Sequence, residues 1–288
     1  MTRRRLLLPA LVLAALLAPS AALASAAPPR FAGVHTWNVN VCGRAWVPVD
    51  MGGGAYSTVY NAQSAGTCIS VERHHLAFQV TKWTPGTGGW QYPHVSNGVN
   101  WGRDTCRDGP SGTLPGSQCL QFPVPAGADG DPVTSVHAYW PSGMTGNVSY
   151  DLWFNRERAP WYALGQNDGA EIMIWIAYPG LSAYLAHADR TVTVDGIKWA
   201  VMHWVSHHNG KYWFYTAFMA VRQRGAVSGM RLNPFMGYAE SQGWLKPSWW
   251  WTSANFGAEI DRGGLGFGVT SYALSGLPLG LARKTAAG

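Results

Sequence analysis

Runs of five to nine residues in which apolar and polar side chains alternate, each closed off by Gly, Pro, Asn or Asp, recur from Trp46 onward. Alternation of period two puts successive side chains on opposite faces of a strand. Regular turn signals between such runs predict antiparallel β-structure and argue against βαβ units. Ser57–Tyr60, Cys68–Val71, Leu76–Val80, Val148–Asn155, Ala170–Tyr178, Arg190–Val194, Ile197–Val205, Tyr212–Arg222 and Gly266–Leu274 read as strands. His207-His208-Asn209-Gly210 reads as a hairpin turn. One segment departs: from about Asn233 to Trp244, the apolar positions Phe235, Met236, Ala239 and Trp244 fit a short amphipathic helix. The expected class is therefore all-β, an antiparallel β-sandwich or jelly roll with one short helix.

The first 26 residues stand outside that pattern. Arg3, Arg4 and Arg5 head the apolar stretch Leu6 to Ala18, which is too short to span a bilayer. Ala24-Ser25-Ala26 then supplies small residues for cleavage. Residues 1–26 read as a signal peptide, 27–41 as an unstructured leader, and 42–288 as one domain. Thr2-Arg3-Arg4-Arg5-Leu6-Leu7 also fits a twin-arginine export signal loosely. The formal charge of +6 falls to +3 once the three arginines leave. No basic block remains to grip a phosphate backbone, so no nucleic-acid partner is expected, nor any membrane contact after cleavage. The mature protein is expected to be secreted and to act as a monomer.

Export changes how cysteine reads. Cys42, Cys68, Cys106 and Cys119 can pair in three ways, with Cys42–Cys68 and Cys106–Cys119 favoured because they are local. There is no C-x-x-C and no H-E-x-x-H, so neither metal nor cofactor is expected. No G-x-S-x-G is present for a serine hydrolase. The triplet Asn147-Val148-Ser149 matches a glycosylation acceptor, a pattern that arises readily by chance.

The alternation also sorts side chains by face. Val148, Tyr150, Leu152 and Phe154 share one face; Ser149, Asp151, Trp153 and Asn155 share the other. Ala170, Ile172, Ile174 and Ile176 lie opposite Glu171, Met173 and Trp175. Phe256, Ala258 and Ile260 lie opposite Asn255, Gly257, Glu259 and Asp261. Three strands thus each set a carboxyl on the face away from an apolar row, in a chain with 16 Trp and only 12% charged residues. Of the five glutamates, Glu72 reads as a surface ion pair, while Glu157 and Glu240 read as solvated. Glu171 and Glu259 are embedded in aliphatic strands with scarce cationic company. Two such acids in a ring-lined groove suit glycosidic cleavage, where one protonates the leaving oxygen and the other stays ionised.

Glu171-Ile172-Met173-Ile174-Trp175-Ile176 resembles the nucleophile strand of glycoside hydrolase family 12. Tyr150-Asp151-Leu152-Trp153-Phe154 is similar to the family strand whose Asp pairs with that nucleophile. Tyr92-Pro93-His94 with Gly98 and Trp101-Gly102, and Gly257-Ala258-Glu259-Ile260 with Gly263-Gly264-Leu265-Gly266, resemble two further family segments. The resemblance implies a jelly roll with a concave substrate cleft and a retaining endo-hydrolase of β-1,4-glucan, whether cellulose, mixed-linkage glucan or xyloglucan. It implies Glu171 as nucleophile, Glu259 as general acid/base and Asp151 as the partner of Glu171. Met173, Trp175, Trp153, Trp46, Trp101, His94 and Asn61 are the residues expected to meet the sugar chain. The chain departs where the family has Asn-Asn-x-Trp and this sequence reads Asn61-Ala62-Gln63-Ser64, which puts the glycone subsites and the preferred polymer in question. A non-catalytic sugar-binding sandwich and a xylan-cutting jelly roll are the rival readings.

Overall fold

The computed structural model describes residues 39–43, 46–52, 55–60, 66–72, 76–85, 90–100, 103–105, 118–127, 130–158, 168–208 and 210–281. The expected signal peptide at 1–26, and Asn61, Trp101 and Cys106, lie outside the described residues, as do the side chains of Trp46 and Cys119.

Among the described residues the chain forms two sheets. The smaller runs Val39–Cys42, Cys68–Glu72, Ala77–Lys82, Gly268–Ser275, Val133–Tyr139 and Ala226–Arg231. The larger runs Arg190–Val194, Ile197–His208, Lys211–Ala220, Gly169–Ala177, Thr145–Asn155, Trp250–Arg262, His94–Asn100 and Ala55–Tyr60, with short strands at and beside its far end. This is the expected β-sandwich.

Each apolar row that the alternation picks out on Thr145–Asn155, Gly169–Ala177 and Trp250–Arg262 is buried between the sheets. Tyr150 packs on Phe256 at 4.6 Å, and Phe256 stacks on Tyr272 of the smaller sheet at 6.1 Å. Burying one such ring contributes roughly 1.5–3 kcal/mol. The polar atoms that come along are paired: Thr134 donates to the Tyr150 hydroxyl, and the Asn97 amide donates to the Tyr272 hydroxyl. The helix spans Asn233–Ser241, begins with Pro234 in its first turn, and buries Phe235, Met236 and Ala239. Phe235 meets Trp199 and Phe218 edge-on at 5.2 and 5.1 Å. In the triplet 249–251, Trp251 stacks on Phe154 in the core and Trp249 on Phe214, while Trp250 lies under the Arg158 guanidinium.

Several expectations need correction. The leader was read through residue 41, yet Val39–Cys42 is a strand registered against Cys68–Glu72. A Cys42–Cys68 disulfide and the packing of Val39 and Val41 against the core hold it there. Glu72 is buried, because all five residues of its strand lie within the sheet. The larger sheet is mixed, since Gly169–Ala177 pairs in parallel with Lys211–Ala220. The hairpin Ile197–His208/Lys211–Ala220 turns at 208–211, with Gly210 at φ 74°, and its second arm slots back beside Gly169–Ala177. A 3-10 turn at Ser182–His187 has no counterpart in the sequence reading.

Candidate active site

The face of the larger sheet away from the core carries the three acids. Thr145–Asn155 lies in the middle, with Trp153 opposite Glu171 on one neighbour and Asn147 opposite Glu259 on the other. Asp151 sits between these levels, paired with Met173 and Asn255. In a flat sheet, six residues of register would hold the two glutamates roughly 20 Å apart along the strand. The Glu259 charge nevertheless acts on both Glu171 and Asp151. The register is irregular at Val148/Ser149 and Thr145/Gly146, where a strand bends and its twist increases.

Each acid has its own donor. The Trp213 indole N–H donates to Glu171 Oε2 at 2.6 Å. The Trp153 indole N–H donates to Asp151 Oδ2 at 2.8 Å. The Asn147 amide donates to Glu259 Oε2 at 2.6 Å, and the Ser149 hydroxyl fixes that amide by donating to Asn147 Oδ1 at 2.8 Å. The glycosylation-like triplet is thus spent on holding Glu259, and Asn147 is 1% exposed.

Among the described residues the ion pairs involve Asp168, Asp195 and Asp261, and none reaches these three acids. Burial, reinforced by Asp151 and Glu259, pushes the Glu171 carboxyl well above its usual range, against the pull of Trp213. Burial and the Glu259 charge raise Asp151 to about 8, opposed by Trp153 and Asn255. Burial raises Glu259, opposed by Asn147. Three like charges crowded away from water cannot all ionise, so the cluster keeps protons near neutrality. It can hold both an acid and an anion, the pair that general acid and nucleophilic chemistry need.

Around the acids lie residues that the sequence reading left without a role. The Tyr92 ring stacks on His94 at 4.1 Å, and its hydroxyl is buried without a hydrogen-bond partner among the described residues. Burial and the charges of Asp151, Glu259 and Glu171 keep that phenol neutral. The His94 Nδ1–H donates to the Tyr92 carbonyl at 2.7 Å, and burial lowers the ring's pKa to about 4, so it is uncharged. Gly257 makes this stack possible: a Cβ there would lie 2.2 Å from the Pro93 carbonyl and 2.5 Å from His94 Cβ. Tyr215 donates to Met173 Sδ at 2.9 Å, and the Trp175 N–H donates to the same sulfur at 3.4 Å. The 3-10 turn lays Tyr184 over Trp175 at 5.7 Å.

Of the residues expected to meet sugar, Met173, Trp175 and Trp153 do share the face with Glu171, though as a buried floor. His94 is 5% exposed and supports Tyr92. Trp213, Tyr215 and Asn147 were missed, and Asn255 was placed on the acid-bearing face but given no role. All four lie at alternate positions of strands that were read or paired correctly, so the same period-two count would have found them. Among the described residues no group of three or more His, Cys, Asp or Glu could hold a metal ion, and no helix is long and apolar enough to cross a membrane.

The sequence pattern of glycosyl hydrolase family 12 matches residues 117–275. No curated protein matches the chain by sequence. Among solved structures, an endoglucanase from Rhodothermus marinus superposes with a TM-score of 0.66 at 26% identity, covering 82% of this chain and 98% of that one. A metagenome-derived family 12 endoglucanase gives 0.66 at 25% identity, covering 84% and 98%. A family 12 xyloglucanase from Bacillus licheniformis shares the fold, with a TM-score of 0.62 at 18% identity, covering 83% and 100%.

Proposed function

The chain belongs to glycosyl hydrolase family 12, and on that premise we propose that it cuts β-1,4-glucan chains internally, with retention, through Glu171 and Glu259. One observation carries the proposal: acids from three adjacent strands share one face, near enough that the Glu259 charge raises both Glu171 and Asp151. The endoglucanase neighbours support a β-glucan as the polymer.

In the first step a Glu171 oxygen forms a bond to the anomeric carbon as the glycosidic C–O bond breaks. The proton on Glu259 passes to the leaving oxygen. In the second step Glu259 takes a proton from water, whose oxygen bonds to the anomeric carbon and releases Glu171. The Trp213 N–H is the donor that favours the Glu171 anion. Asp151 is raised to about 8, and where it ionises its charge raises Glu171 further. The raised Glu259 keeps the proton that the leaving group needs. Tyr92 places a neutral phenol beside the same acids, where it can donate to a bound sugar hydroxyl.

Release of reducing ends from barley glucan, xyloglucan and xylan tests the reading. Wild type is expected to act on the glucans, and Glu171→Gln on none. Equal activity of Glu171→Gln would remove Glu171 from the mechanism, and activity on xylan alone would replace the substrate. Residues 1–26 would direct export, leaving a single domain that includes the strand at Val39–Cys42. N-terminal sequencing of protein from the medium should begin near Ala27; an intact Met1 would contradict export by cleavage.

A further inference from the structure

The hairpin Ile197–His208/Lys211–Ala220 extends the acid-bearing face beyond Glu171, and Trp204 on its outer arm is held in an unusual way. Trp204 is 41% exposed, yet its ring is fixed twice. One face stacks on Tyr215 at 3.9 Å with 22° between planes. Its N–H donates to the Ser206 hydroxyl at 2.9 Å. An exposed Trp ordinarily keeps rotamer freedom, and fixing it costs entropy without the return of full burial. The register explains where the ring is aimed. Trp204 pairs with Tyr215, and Tyr215 pairs with Glu171, so the three stand in one row across three strands. The row spans two strand spacings, roughly 9–10 Å. Tyr215 is itself anchored to Met173 on the floor. Trp213, two pairs further along the hairpin and opposite Ser206, reaches Glu171.

We propose that Trp204 is a stacking platform for a glucosyl unit of the bound chain, on the Tyr215 side of Glu171 and outside the residues that cut the bond. The C–H face of a β-linked glucosyl ring is apolar and slightly positive, and it complements the negative face of an indole. Tyr215 backs the platform, and the Ser206 bond occupies the indole N–H, so the ring offers its face to the ligand. The inference rests on the β-glucan reading above and names where a long chain is held. Because the contact is remote from the reacting carbon, it binds ground state and transition state alike and acts on KM, not kcat.

Calorimetric titration with cellohexaose and cellotriose tests it, on a Glu171→Gln background so that nothing is consumed. Trp204→Ala is expected to weaken cellohexaose roughly tenfold, as a lost aromatic stack would, and to narrow the preference for hexaose over triose. Trp204→Phe, which keeps a flat face, should restore most of the affinity. An unchanged hexaose affinity in a Trp204→Ala protein with wild-type near-UV dichroism would overturn the platform, as would failure of cellohexaose to bind at all. If wild type hydrolyses no β-glucan but hexaose binding still depends on Trp204, the platform stands and the hydrolytic reading fails.

Discussion

Single side chains set the protonation of the acids, and their removal moves different limbs of the pH profile. Trp213→Phe deletes the donor that favours the Glu171 anion. A charge-assisted bond of this kind is worth roughly 1.5–3 kcal/mol, so the Glu171 pKa should rise further. The acidic limb of kcat/KM then moves to higher pH. Asn147→Ala deletes the donor on Glu259, whose pKa also rises. Glu259 must be protonated to act, so here the alkaline limb moves up and the acidic limb stays. Profiles of kcat/KM against pH check both; a shift of the wrong limb would exchange the two roles. Gly257→Ala should cost about 1–3 kcal/mol, because the added Cβ meets Pro93 and His94. Thermal melting would show that loss. At this scale the sequence was informative about Glu171 and Glu259, since a charge inside an aliphatic strand stands out. It singled out the Tyr92–His94 segment but was uninformative about the stack the two rings form, whose placement depends on a neighbouring strand's missing Cβ.

Elements divide into those that build the site and those that hold the sandwich closed. The helix Asn233–Ser241 belongs to the second group. Phe235 is fully buried against Trp199 and Phe218, and Phe235→Ala should cost roughly 3–5 kcal/mol. Chemical denaturation should report the loss while both pH limbs stay in place; moved limbs would mean that the helix also sets the acids. Strong alternation made Thr145–Asn155, Gly169–Ala177 and Ile197–His208 readable from residue order alone. His94–Asn100 was not readable, because His94, Ser96, Asn97, Gly98 and Asn100 look like turn residues. Its Asn97 is tolerated inside only because Tyr272 and the Ala254 carbonyl accept from its amide. The parallel pairing of Gly169–Ala177 with Lys211–Ala220 was hidden for a related reason, since strand order is decided by contacts far apart in sequence.

Across the whole molecule, stability and acidity are linked through the same three carboxyls. Asp151 moves from 3.8 to about 8 on folding. The folded state therefore binds more protons between those values, and its stability is fully present below about 4 and lost as pH rises toward about 8. Asp151→Asn should flatten the fall of Tm across that window; an equally steep fall would assign it to other groups. The Cys42–Cys68 bridge closes a separation of 26 residues and ties the first strand to the smaller sheet. Its removal by paired Ala substitution should cost roughly 3–4 kcal/mol.

All of this turns on Glu171 attacking the sugar while Glu259 serves the departing oxygen from the other side. Proton NMR of the first products from a β-1,4-glucan reads that geometry directly. Two successive displacements leave the new reducing end as the β-anomer before mutarotation. A first-formed α-anomer would mean that water attacks directly, and Glu171 would then be no nucleophile.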